Sequence, residues 1–154
     1  MPIISAGILM YRFREGVAEV FLVHPGGPFW SGKDAGAWSI PKGIIDAHED
    51  ALVAAKREFE EETGSKVSGD FTQLSSVKLK SGKVLLAWAV NGDCDPSEIK
   101  SNTFPMEWPP HSGRRQEFPE VDRAAWFTIG EAKKKINPRQ VPLLEELMGI
   151  LNGK

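Results

Sequence analysis

Three glutamates, Glu58, Glu61 and Glu62, stand at positions i, i+3 and i+4 of a helix-like run, so their carboxylates share one face. Like charges so placed repel, and a helix gains nothing from them unless a cation or basic group stands alongside. Hard divalent ions such as magnesium and manganese prefer carboxylate oxygen. Such ions serve water attack on an anionic phosphorus centre, where they offset phosphate charge and activate the nucleophile. Arg57 lies four residues before Glu61 and can pair with it, offsetting part of the charge. The bland reading of Glu60-Glu61-Glu62 is a solvated helix face, the commoner origin of such runs. His24, His48 and His111 have no metal-ligand spacing, and no Gly-rich lysine motif, serine set or cysteine set for nucleophilic attack presents itself.

The run that must position these carboxylates extends from Glu49 to Thr63 and stops at Gly64, a residue free to take the left-handed conformation that ends helices. Asp46 and Glu49 fit a capping box, and Leu52, Ala55 and Phe59 form an apolar stripe that can seat the helix on a sheet. A Pro41-Lys42-Gly43 turn precedes it. Lys42 is the leading phosphate contact from outside the helix, with Arg115 behind it.

Read as Gly43, five residues, Glu49, seven residues, then Arg57-Glu58-Phe59-Glu60-Glu61-Glu62-Thr63-Gly64, the segment resembles the signature of the Nudix hydrolases, which cleave nucleoside diphosphates linked to another moiety. Every charged and glycine position agrees; Ser65 stands where an aliphatic residue is usual, a departure that touches packing more than chemistry. The resemblance implies metal binding by Glu58 and Glu62, a share in coordination or water activation for Glu61, and a further ligand in the backbone carbonyl of Gly43. It also implies that Arg57 orients Glu49 or Glu61. Family members often recruit one more acidic residue from a later loop, and Glu117 and Glu120 are the candidates. The implied cofactor is Mg2+ or Mn2+, and the implied fold is an alpha/beta/alpha sandwich.

The 154 residues suit one domain spanning 1–154, with 41% hydrophobic and 26% charged residues. Nineteen basic and 21 acidic side chains leave a net charge of −2, which gives no support to DNA binding and makes RNA an unlikely partner; a small-molecule nucleotide is the expected one. Cys94 is the single cysteine, so no intrachain disulfide forms and a cytoplasmic setting follows. The opening MPIISAGILMYRF reads as a strand and not as a signal peptide, and no apolar run reaches membrane-spanning length. Monomer and homodimer are both compatible with this composition.

Along the chain, Ser5–Arg14 and Val17–His24 read as a strand hairpin, Trp38–Ile40 as a short strand, Phe71–Leu79 with Val84–Val90 as a second hairpin, and Val121–Thr128 as a last strand. Helical segments begin at Ile129, break at Asn137-Pro138, and resume with Val141, Leu144, Leu147, Met148 and Leu151 at helical spacing. This order predicts a single-domain α/β fold, a mixed sheet covered by helices. Trp88, Trp126 and Phe127 are expected in the core. Two loops remain: Pro25–Ala37, with Phe29 and Trp30 able to cover a flat ligand, and Asn91–Glu120, an irregular stretch in which Trp108, Arg114, Arg115 and Glu117 either meet a nucleotide or are solvated.

The leading functional expectation is metal-dependent hydrolysis of a phosphoanhydride in a nucleoside diphosphate derivative. By resemblance around Pro41-Lys42-Gly43 and Phe118–Phe127, the chain looks closest to the diadenosine polyphosphate and nucleoside triphosphate branches. The proline and tyrosine that mark two subclasses are absent from Leu79-Lys80-Ser81-Gly82, so the substrate is open. The alternative is a non-catalytic nucleotide-binding or regulatory domain.

Overall fold

A computed structural model describes residues 3–153. Met1 and Pro2 of the opening strand segment, and Lys154 of the expected domain span, lie outside them. The spine is β1 (Ile4–Arg14), whose residues Ser5 to Met10 are all buried, as befits a strand covered on both faces. A Glu15-Gly16 turn with positive φ at both residues reverses it into β2 (Val17–Pro25).

On its other side β1 runs parallel to β6 (Val84–Asn91), from Ile4↔Val84 to Tyr11↔Asn91. β2 pairs with β9 (Val121–Thr128), while the short β4 (Thr72–Gln73) and β5 (Val77–Lys78) line the outer edge of β6. The sheet is therefore mixed, in the order β4-β6-β1-β2-β9, with β3 (Lys42–Ile44) antiparallel to the start of β1.

Helix α1 (Ala51–Thr63) covers one face, where Phe59 packs against Phe21 and against a cluster that includes Ile8, Val23 and Val90. Helices α2 (Ile129–Lys135) and α3 (Val141–Asn152) cover the other, with Leu143, Leu144 and Leu147 fully buried. The architecture is the expected alpha/beta/alpha sandwich. None of the described helices is long and apolar enough to cross a membrane.

Four sequence expectations need correction. The helix begins at Ala51, because the Asp50 carboxylate accepts the N–H groups of Leu52 and Val53 at 3.1 Å and so caps the first turn itself. Asp46 and Glu49 instead close the preceding loop, with the Asp46 N–H donated to Glu49 Oε1 at 3.1 Å. Trp38–Ile40 makes only isolated bridges, Val23↔Ser39 and Trp38↔Ile136, and the strand forms a few residues later, at Lys42–Ile44. Phe71–Leu79 holds two two-residue strands and not one continuous strand. Finally, the stretch Asn91–Glu120 is more regular than its prolines suggest. It contains a 3-10 turn at Pro96–Glu98 and a separate hairpin of β7 (Thr103–Glu107) and β8 (Arg115–Pro119). Phe104 opposite Phe118, with ring centroids 6.2 Å apart, supplies a cross-strand pair, and Pro105 is tolerated because a two-stranded ribbon consists only of edges. Trp88 is buried as expected, while Trp126 and Phe127 are half-buried against the two clusters.

Candidate functional site

Two glycines bring the Pro41-Lys42-Gly43 turn to the sheet and to the helix. A side chain on Gly7 would meet Pro41 O at 2.7 Å and Lys42 Cβ at 2.8 Å, so its absence lets the turn cross close over β1, where the Ile8 N–H donates to Pro41 O at 3.1 Å. A side chain on Gly43 would occupy the space of the Glu58 carboxylate. Glu58 thus lies directly over the Gly43 backbone, and Glu62, one helical turn on, accepts the Lys42 N–H at 3.3 Å. The helix carboxylates and the glycine turn form one surface.

Arg57 organises the acidic side of that surface. Its Nε and Nη2 donate to the two oxygens of Glu49 at 2.8 and 2.9 Å, and Nη1 donates to Glu61 Oε2 at 2.7 Å and to Glu58 Oε2 at 3.1 Å. This planar fork holds Glu49 and Glu61 at once, where the sequence offered one or the other. Paired this way, the Glu49 carboxyl is held below the usual carboxylate range, chiefly by its bonds to Arg57, and the guanidinium is pushed higher still.

Glu58 and Glu62 behave oppositely. Burial first, and then the charges of Glu61 and Glu120, push the Glu58 carboxyl up to about 7. Glu62 is pushed up to about 8, again chiefly by burial, which the charge of Lys42 opposes and the charges of Glu58 and Glu120 reinforce. Glu120 is itself raised, by burial and then by Glu61. The Lys42 ammonium is lowered by burial despite its acidic neighbours. Carboxylates crowded until they hold protons are short of positive charge.

Beside them opens a cavity of about 260 Å³. Lys42, Glu62 and Glu120 form its charged side, Trp30, Val23 and Ile40 its apolar wall, and Ser39, Asn137 and Gln140 its polar floor. Gln140 is buried and fixed in orientation: its Oε1 accepts the Ile40 N–H at 3.1 Å and its Nε2 donates to Ser39 Oγ at 3.0 Å.

A sequence model described as the NUDIX domain matches residues 1–147. The chain belongs to the NUDIX domain family. Among curated relatives, Nudix hydrolase 7 of Arabidopsis thaliana is 28% identical over 116 residues, which are 70% of this chain and 39% of that protein. The chain therefore spans about two fifths of the length of that relative. Among solved structures, a Caenorhabditis elegans (C. elegans) Ap4A hydrolase binary complex superposes with a TM-score of 0.70 at 22% identity, over 97% of this chain and 99% of that one. The NUDIX domain of Shewanella oneidensis NrtR complexed with ADP ribose gives a TM-score of 0.69 at 16% identity, over 98% and 89% of the two chains. At these identities the likeness to solved structures is one of fold.

Within this NUDIX domain, Glu58, Glu61, Glu62, Arg57, Gly43 and Lys42 come together around the glycine turn, and Trp30 reaches the cavity wall. Of the two later acids, Glu120 lies at the cavity, whereas Glu117 is exposed on β8 and accepts a bond from Thr103 Oγ1 at 2.9 Å. Trp108 and Arg115, expected at the substrate, are elsewhere. They sit at the distal end of the β7–β8 arm, where Arg115 pairs with Glu107 and the Trp108 N–H donates to Arg114 O, and neither lines the cavity. The strand register explains this: four residues of extended chain carry them roughly 13 Å from the arm's base. Ser65, the odd residue of the signature, is half-buried with its Oγ 3.7 Å from Cys94 Sγ.

A divalent cation fits the chemistry of this donor set, since Glu58 and Glu62 present hard oxygens beside the Gly43 backbone in a patch short of positive charge. The side chains do not make a ready cage: among the described residues no three acidic, histidine or cysteine groups converge tightly enough. Arg57, which holds Glu61, accounts for part of that. Sequence reasoning missed Gly7, Ser39, Asn137 and Gln140. No local pattern marks them, because their roles arise from contacts made across the fold.

Proposed function

We propose that the chain hydrolyses a phosphoanhydride bond in a nucleoside diphosphate linked to another group, with a dinucleoside polyphosphate or a nucleoside triphosphate as the leading substrates. The observation that carries this reading is a pair of carboxylates set against one backbone turn, Glu58 over Gly43 and Glu62 accepting the Lys42 N–H at 3.3 Å, with Glu62 lining a cavity that can take one flat group. A binding-only site would gain nothing from carboxylates that repel the phosphates of its ligand. Glu58, Glu62 and the Gly43 carbonyl would hold Mg2+ or Mn2+, with Glu61 or Glu120 completing the set. The ion supplies charge neutralisation of the phosphate oxygens and a more acidic water.

The chain's own residues do the rest. Lys42 contacts a phosphate oxygen, and Arg57 keeps Glu49 and Glu61 in place through its fork. Trp30 covers the base or other flat group. Glu120, raised by burial and lining the cavity beside Glu62, accepts the proton of the attacking water. The water oxygen bonds to phosphorus in line with the departing phosphate, and the bridging P–O bond breaks. The similarity to an Ap4A hydrolase and to an ADP ribose complex makes both ligand types sensible members of a test panel. On this reading the compartment is the cytoplasm, where the free Cys94 stays reduced.

The test is to incubate purified protein with diadenosine polyphosphates, nucleoside triphosphates, ADP-ribose and nucleotide sugars, with magnesium, manganese or chelator, and to identify products by mass. Turnover of at least one class to a nucleoside phosphate, abolished by chelator, is expected. A panel without turnover in either metal removes the reading.

A further inference from the structure

We infer that His24 is a positioning residue for the substrate loop: it ties the aromatic arc of residues 27–33 to the beginning of β9, and so fixes Trp30 as a wall of the cavity that Glu120 also lines. The inference deepens the proposed function and rests on its reading of the cavity as the substrate site.

His24 lies near the end of β2 and is 1% exposed. Its Nδ1 is 2.9 Å from Asp122 Oδ1 and its Nε2 is 2.6 Å from the carbonyl oxygen of Lys33. A backbone carbonyl only accepts, so Nε2 carries the hydrogen of the bond to Lys33. The ring edge also packs on Trp38, with centroids 5.3 Å apart. A satisfied buried histidine is commonly no more than a core residue. What distinguishes His24 is what its two bonds join. Asp122 is two residues beyond Glu120 in β9, and Lys33 belongs to the loop that follows β2.

Among the described residues, the other hydrogen bonds and ion pairs that hold the loop to the fold lie at its ends. At its entry, the Gly26 N–H donates to Glu120 O at 2.9 Å, and Pro119 leaves no room there for a side chain. At its exit, Asp34 accepts from Trp38 Nε1 at 2.8 Å and pairs with Lys135, while the Gly36 N–H donates to Lys134 O at 3.2 Å. Between these anchors, among the described residues, the bond from His24 is the only hydrogen bond from the body of the fold into the arc.

The arc itself is internally coupled. Phe29 and Trp30 meet edge to face at 5.0 Å, Lys33 Nζ lies 3.7 Å from the Phe29 ring centroid, and the Lys33 N–H donates to Trp30 O at 3.0 Å. A grip on the Lys33 carbonyl is therefore a grip on Trp30. Phe29 is 61% exposed, so its own side chain adds no buried anchor to the arc.

The test compares His24→Phe, which keeps a ring against Trp38 but loses both ring nitrogens, with Asp122→Asn, whose amide can still pair with Nδ1. Both are checked for a folded far-UV signature, then measured for steady-state kinetics on the best substrate of the parent and for amide hydrogen exchange over residues 27–33. His24→Phe is expected to raise KM by ~3- to 10-fold, the worth of a displaced aromatic contact, with kcat within about twofold of the parent. Exchange in the arc rises, and Asp122→Asn stays close to the parent in both readouts. An unchanged KM with unchanged exchange in folded His24→Phe overturns the inference, as does a loss confined to kcat. If the parent itself turns over nothing, the functional reading fails on that result alone. The exchange comparison still decides whether His24 holds the arc: faster exchange in His24→Phe supports it, and equal exchange overturns it.

Discussion

Replacing Glu62 by glutamine should invert the usual effect of removing a buried charge, and the sign follows from the direction of its shift. The carboxyl is pushed from 4.5 up to about 8 in the fold, chiefly by burial. Below its unfolded value it is protonated in both states and costs nothing. Between that value and about 8, the unfolded chain gives up the proton while the fold keeps it, so stability falls as pH rises, and above about 8 the full cost is present. At about 1.4 kcal/mol per pH unit, the gap between 4.5 and about 8 sets an upper bound of roughly 5 kcal/mol. Glu62 lines an open cavity and interacts with the charge of Glu58, so about 2–3 kcal/mol is the expected size.

Urea unfolding in chelator at pH 5, 7 and 9 measures this directly. Parent and Glu62→Gln should be close at the acid end, and the variant should become the more stable as pH rises. On the proposed metal role, magnesium should close that difference at high pH by stabilising the parent, whose deprotonated carboxylates would bind the ion, and should do little for the variant. Parallel stability curves from pH 5 to 9, or equal stabilisation of both proteins by magnesium, would refute the reasoning.

Other substitutions separate positioning from stability. Gly43→Ala should leave the melting temperature nearly unchanged, because the Glu58 side chain can move aside, yet lower turnover by about 10²-fold as that carboxylate leaves its place. Arg57→Lys keeps the charge and loses the fork that holds Glu49 and Glu61 together, so kcat should fall by at least about tenfold with little change in KM. Asp50→Ala removes the cap of α1 and should cost about 1 kcal/mol in urea unfolding without altering the metal dependence of any activity.

Much of the site could be read from local spacing because α1 carries it. The stop at Gly64 lies where the sequence puts it, with φ of 79° and its N–H donated to Glu60 O, and the three carboxylates share a face because helical periodicity obliges them to. The start, at Ala51, lies two residues beyond the expected Glu49 because Asp46 and Asp50 both offer capping carboxylates, and only the fold shows which one meets the N–H groups of the first turn. The β7–β8 hairpin was hidden by its prolines, which an isolated ribbon tolerates and a sheet interior does not. Trp108 and Arg115 had the right chemistry for a nucleotide but lie at the wrong end of that ribbon, a matter of register that composition does not carry. Gly7, Gln140 and His24 act through partners distant in the sequence, Gln140 meeting Ser39 and Ile40, and His24 meeting Asp122. Nothing local announces such pairs.

The most direct test of the central claim is product formation from a dinucleoside polyphosphate or nucleoside triphosphate by parent and Glu62→Gln, followed by mass with magnesium and with chelator. Cleavage at a phosphoanhydride by the parent in magnesium, lost on chelation and reduced by about 10²-fold or more in the variant, is the predicted result. Turnover that survives both chelation and Glu62→Gln would contradict it.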